Sequence, residues 1–139
     1  MEGKVLKLIS DFNIDPLAGH ISGNANFHMS IEVAPFGQVR QLLASDRSKP
    51  WGSVIWTLPE TTIPSFSQAI SFAEIALDQC LDEVDFFAKA ILKYSANQPF
   101  TFVVNWASPP GHRGYGPLDW RPGLGIANLL ARMNLRLSE

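Results

Sequence analysis

Apolar residues recur along this chain in two rhythms, and the rhythm changes mark its elements. Val5, Leu6, Leu8 and Ile9 form a short apolar run that empties into the polar stretch Ser10-Asp11-Phe12-Asn13, the pattern of a buried strand opening into a loop. Asp15 and Pro16 then suit a helix start, Leu17, Ala18 and Ile21 give it an apolar face, and Gly23 stops it. From Asn26 to Pro35 the period is two: Phe27, Met29, Ile31 and Val33 alternate with His28, Ser30 and Glu32, which predicts a second strand. Val39, Leu42 and Leu43 return to helical spacing, and Ser53 to Leu58 reads as a third strand between Gly52 and Pro59. Ile70, Ala73, Leu77, Leu81, Val84, Ala88, Ile91 and Leu92 then keep steps of three and four, predicting one long helix over 64–95 with one wet side. Phe100 to Trp106, rich in aromatic and β-branched residues, predicts a fourth strand, and Leu124, Ala127, Leu130, Ala131 and Leu135 a last amphipathic helix.

Strands that alternate with helices imply parallel pairing through right-handed crossovers. The fold expected is α/β: a three-layer, doubly wound, mostly parallel sheet of four strands in the order 2-1-3-4. Ligands in such sheets meet the loops at the carboxyl ends of the strands, beside the switch point between strands 1 and 3. Those loops are 10–13, 34–38, 58–62 and 105–119.

Composition narrows the function classes. With 139 residues the chain has the size of one domain. A hydrophobic share of 46% against 17% charged residues excludes a disordered chain. The 11 Lys and Arg against 13 Asp and Glu leave a net charge of −2, which favours neither nucleic acid nor an anionic membrane as partner. Cys80 stands alone, so an internal disulfide and a cysteine zinc site are both excluded and a reducing, cytoplasmic setting is expected. No stretch is apolar enough to span a bilayer. Neither GxxxxGK(S/T) nor GxGxxG, HExxH or GxSxG occurs, which removes the commonest nucleotide, metalloprotease and esterase signatures, and no cofactor or metal is expected.

Candidate chemistry gathers at two strand ends. Ser10 can serve as a nucleophile if an imidazole lies within reach, and Asp11 can bind a metal or accept from a substrate hydroxyl; Asp11 and Asn13 also suit capping of loop and helix amides. Gly37 allows a backbone N–H to approach an oxyanion. The loop from Asn105 to Gly123 holds His112, Arg113, Tyr115, Asp119, Trp120 and Arg121 among eight prolines and glycines, and loops of that length are commonly functional. His112 with Asp119 can form an acid-base pair and Arg113 or Arg121 can hold a phosphate or carboxylate, or the loop can simply cover the sheet edge with its Trp and Tyr. Glu74, Asp78, Asp82 and Asp85 mark the wet side of the long helix, with no histidine interleaved.

Three stretches, LISDFNIDPLAGHI after the first strand, VAPFGQVRQLL after the second and GLGIANLLARMNLRLSE at the end, resemble the N-terminal SGNH-hydrolase-like domain of FkbH-type proteins. In that family the domain precedes a haloacid-dehalogenase-like domain that loads a glyceryl unit from a phosphorylated glycerate onto an acyl carrier protein. The wider SGNH or GDSL superfamily places a nucleophilic serine in its first block, a glycine in its second, an asparagine in its third and a DxxH pair near the C-terminus. Here Asp11 and Asn13 match the first block while Phe12 stands at the serine position. Gly37 matches the glycine, Thr57-Leu58-Pro59-Glu60 replaces the GxND block, and neither DxxH nor the phosphatase motif DxDxT occurs. The resemblance therefore implies one SGNH-like domain over 1–139 without the hydrolytic residues, either an N-terminal domain cut before a fifth strand or a degenerate free-standing relative.

Two readings of function follow. In the first, the domain is an accessory module in biosynthesis that holds an acyl, glyceryl or carrier-linked group through Asp11, Asn13, Gly37, Asn105, Arg113 and Trp120, with an acyl carrier protein or a phosphatase-like domain as partner. In the second, Ser10 and His112 form a rearranged esterase or acyltransferase site. Beyond strand 4 a sheet without its fifth strand also leaves an open edge, through which a homodimer can form.

Overall fold

A computed structural model of the chain describes residues 3–45, 50–96, 98–109 and 114–139. Four strands, β1 (Val5–Ser10), β2 (Ser30–Val33), β3 (Gly52–Trp56) and β4 (Phe100–Val103), form one sheet in the order β2-β1-β3-β4. Every pairing is parallel. The helices are α1 (Asp15–Ser22), α2 (Val39–Ser45), α3 (Pro59–Thr62), α4 (Pro64–Ile70), α5 (Leu77–Ser95) and α6 (Ile126–Ser138), with a 3-10 turn over Gly116–Trp120. The α/β class and the strand order expected from the hydrophobic pattern are those observed. Among the described residues no helix is long and apolar enough to cross a membrane.

The residues fall into two compact units, 1–57 with 90–104 and 58–89 with 105–139. The first holds the sheet. Its register, Leu6↔Ile31, Leu8↔Val33 and Leu8↔Val54, puts these side chains on one face, where Ile14 and Ala18 at the start of α1 complete a buried cluster with Leu17, Phe27, Met29 and Phe100. Right-handed crossovers direct α1 and α2 to opposite faces, because the chain steps from β1 out to β2 and then back across β1 to β3. On the face opposite the α1 cluster Lys7 and Ile9 are buried, and Lys7 lies 3.8 Å from Glu32, its register partner on β2.

That second face also carries a polar knot. Ser53 donates to Oε1 of Gln98 at 2.7 Å and lies 3.1 Å from the Tyr94 hydroxyl. A serine has one proton to give, and it goes to the Gln98 oxygen, so Tyr94 is the donor in the second bond. Gln98 in turn donates to the Tyr94 carbonyl. The knot ties the last turn of α5 to β3 with its buried polar groups satisfied. At the same end of the strands Phe100 lies across Gly52, where any Cβ would strike the ring, and packs edge-on to Trp51 with centroids 5.0 Å apart.

The second unit is helical. Glu83 of α5 accepts from both the N–H and the hydroxyl of Ser65, at 3.0 and 2.9 Å, and so caps the start of α4. Asn134 of α6 accepts from the Trp106 N–H and donates to the Trp106 carbonyl, both at 2.8 Å, as a neighbouring strand would. Arg136 reaches Asp85 through two bonds of 2.7 and 2.9 Å, and this pairing holds the Asp85 carboxyl below its ordinary range. Both groups are solvent-exposed, so the pair orients α6 against α5 more than it stabilises them.

The single long helix expected over 64–95 is two helices, α4 and α5, with a break between them. Ala73 N–H bonds to the Gln68 carbonyl and Phe72 N–H to that of Ala69, the paired bonds of a Schellman stop, with Phe72 at φ +66° where glycine is usual. Neither Gly nor Pro marks the break, and the apolar steps run through it in phase, so periodicity alone shows no interruption. Strands 2 and 4 are shorter than the alternation suggested because residues 26–29 and 104–106 lie beyond their partners' registers.

Replacing Ser53 with Ala strips Gln98 and Tyr94 of a buried partner each. Urea unfolding should show a loss of about 1–3 kcal/mol with an unchanged slope.

Candidate functional site

Within the sheet unit, the turn after β1 decides what chemistry is available. Ser10 is fully buried and its hydroxyl donates to the Phe12 carbonyl at 2.5 Å. Its one proton is thereby spent inside the turn, and among the described residues no imidazole hydrogen-bonds to it. His112, the partner expected for it, lies outside the described residues. Phe12 then meets Trp56 edge-to-face, centroids 5.4 Å apart and planes at 89°. Asn13 accepts the Asp15 N–H on its Oδ1 at 3.0 Å, an Asx turn that starts α1 and leaves its amide nitrogen without a protein partner among the described residues. Asp11 is half-buried in the same turn.

The turn after β2 supplies the opposite wall. Ala34 is buried, its N–H bonded to the Leu8 carbonyl, while Pro35 and Phe36 stand exposed. Gly37 takes φ +80°, a conformation that side chains disfavour, and so turns the chain toward α2. Between the two turns lies a cavity of about 230 Å3 lined by Phe12, Asn13, Ile14, Asp15, Val33, Ala34, Pro35 and Phe36. Six of these eight residues are apolar, yet the surface they present is as much polar as apolar, with the Asn13 amide and the Asp15 carboxylate among its groups.

Of the residues expected at this site, Asn13 lines the cavity, and Asp11 and Gly37 flank its lining segments in sequence. This cavity lies between the ends of β1 and β2; on the β1–β3 side Ser10 is in register with Trp56, which the Phe12 ring meets edge-on.

Asn105 and Trp120 belong to the helical unit and are both exposed; Arg113 lies outside the described residues. Asp119, weighed above as an acid-base partner, has a structural task. Its carboxylate accepts from the N–H groups of Ile126 at 2.8 Å and Ala127 at 3.2 Å, capping α6 with a negative charge where the helix dipole favours one. Gly125 passes so close to the Asp119 backbone that a Cβ has no room, and Gly114 sits against the carboxylate.

Two further groups stand out. Glu60, next to the end of β3, keeps one carboxylate oxygen buried without a hydrogen-bond partner, the only such side-chain atom among the described residues. The sequence pattern singled out its tetrapeptide only for lacking an asparagine, and no motif signals a buried orphan oxygen. Cys80 is fully buried, and burial followed by the nearby Glu83 charge pushes its thiol up to about 11. A thiol so protonated is no nucleophile at neutral pH. Among the described residues no three His, Cys, Asp or Glu side chains are grouped to hold a metal.

No family model and no curated protein matches the chain. A solved structure does: the N-terminal part of the protein BF1531 from Bacteroides fragilis, containing a phosphatase domain complexed with Mg, at 14% identity and a TM-score of 0.73. The match covers 97% of this chain and 36% of that one, so this chain spans about a third of its neighbour. The likeness extends the α/β fold to a known protein.

Asp119→Ala removes the α6 cap and should cost about 1–2 kcal/mol in thermal or urea unfolding. Cys80 should resist iodoacetamide at pH 8 in the folded chain and react once the chain is unfolded. Because the folded thiol holds its proton more tightly than the unfolded one, its contribution to stability is complete below pH 9 and is lost as pH rises toward 11; urea midpoints measured across that window should fall.

Proposed function

We propose that this chain is a binding module with a hydrolase-like framework that holds a small, partly apolar group without cleaving it. One observation carries the reading: at the tip of β1 the chain presents the Phe12 ring, edge-on to Trp56, while the Ser10 side chain is buried and its hydroxyl is bonded to the Phe12 carbonyl. No activated nucleophile faces the cavity among the described residues. The lining of Phe12, Ile14, Val33, Ala34, Pro35 and Phe36 suits a short acyl chain, and the Asn13 amide and Asp15 carboxylate suit hydroxyl or amide groups, as a glyceryl unit or the pantetheine arm of a carrier would offer.

The motif resemblance to the N-terminal domain of FkbH-type proteins supports an accessory place in biosynthesis. So does the solved neighbour, which contains a phosphatase domain and extends well beyond the matched stretch. On this reading the module acts beside a phosphatase-like domain or a carrier protein that does the transfer.

The chain should hydrolyse p-nitrophenyl butyrate no faster than buffer and take no label from a fluorophosphonate probe. Titration with butyryl-pantetheine should quench Trp56 fluorescence and shift the amide resonances of residues 12–15 and 33–36. Asn13→Ala and Phe36→Ala should each weaken that binding ~3- to 30-fold. Labelling that disappears in Ser10→Ala would instead establish the esterase.

A further inference from the structure

The sheet has two edges among the described residues, and they differ. The β2 edge carries Glu32, which lies beside Lys7, so charge blunts it. The β4 edge carries no charge from Gln98 to Trp106. On the α1 face of β3 and β4 stand Val54, Trp56, Phe100 and Phe102, with Phe102 60% exposed and Trp56 37%. A phenyl ring that open, on a strand that open, is a surface made for contact.

The hydrogen-bond phase of β4 determines what can pair with it. Val104 donates to the Ile55 carbonyl, and Ile55 is the register partner of Val103. In a parallel ladder this phase turns the Phe102 backbone toward β3 and leaves the N–H and C=O of Thr101 and Val103 pointing away from it. These outward groups are symmetric about Phe102. An antiparallel strand with the same spacing would meet them, and the same strand rotated by a two-fold axis has that spacing.

We propose that a second copy of this chain pairs antiparallel along β4, extending the sheet to order 2-1-3-4-4-3-1-2 across the dimer. Thr101 of each copy exchanges both backbone bonds with Val103 of the other. Phe102 faces Phe102 across the axis in the non-hydrogen-bonded position, where side chains approach most closely, and both rings lie on the α1 face. No other register places the exposed ring against its twin while using all the outward groups. This contact is isologous and closed, so it stops at two copies. Pro99 ends the ladder on one side and keeps it short, so the dimer is weak, with a dissociation constant on the order of 10–100 μM.

Sedimentation equilibrium of the 139-residue chain, loaded from ~5 to ~500 μM to bracket that constant, should show monomer passing to dimer. Phe102→Glu and Phe102→Lys each place like charges across the axis and should raise the dissociation constant more than ~10-fold. Because the ring is exposed, thermal melting of either variant as a monomer should match the parent. Mixing the two variants should restore association through an opposite-charge pair, a result that a folding defect cannot give. Phe102→Cys should form an intermolecular disulfide in air far faster than Phe86→Cys, an equally exposed position on α5. A chain that stays monomeric over the whole range, a dimer that Phe102→Glu leaves intact, or cross-linking no faster at 102 than at 86 would overturn the proposal.

Discussion

The parallel ladder on both sides of β1 is the constraint from which the rest of the sheet unit follows. Its register against Ser30–Val33 and Gly52–Trp56 assigns Leu6 and Leu8 to the α1 cluster and Lys7 and Ile9 to the other face. Side chains alternate with a period of two, so a slip of one residue would drive the Lys7 ammonium among Leu17, Ala18 and Ile14 and take Leu8 out of that cluster. The penalty for that exchange is what holds the register. It also aligns Ser10 with Trp56, and through Phe12 this alignment shapes the strand tips.

Much of this was legible in the residues. The order 2-1-3-4 follows from strand and helix rhythm together with the handedness of crossovers, and Asp11, Asn13 and Gly37 were located at strand ends because an α/β sheet has its loops there. Other features have no local signature. Phe72 in a left-handed conformation breaks a helix whose apolar phase continues unbroken, since the bonds to Gln68 and Ala69 and the contact of its ring with Tyr115, 5.5 Å between centroids, outweigh a backbone preference worth about 1 kcal/mol. Asp119 reads equally well as an acid or as a cap until Ile126 and Ala127 are seen to donate to it. The buried oxygen of Glu60 depends on packing that no motif encodes.

The strand tip separates what a hydrolytic site requires from what a binding site requires. A serine nucleophile needs a base within hydrogen-bond reach and an open path to the ligand. Ser10 has neither among the described residues, because its proton is given to the Phe12 carbonyl and its oxygen is buried. A binding site needs less: walls that exclude water and a few polar groups to orient the guest. Phe12 closes one side of the strand tips against Trp56 and lines the cavity on the other. One ring thus meets both requirements of the proposed binding reading: it places no hydroxyl at the tip of β1, and it supplies an apolar part of the cavity wall.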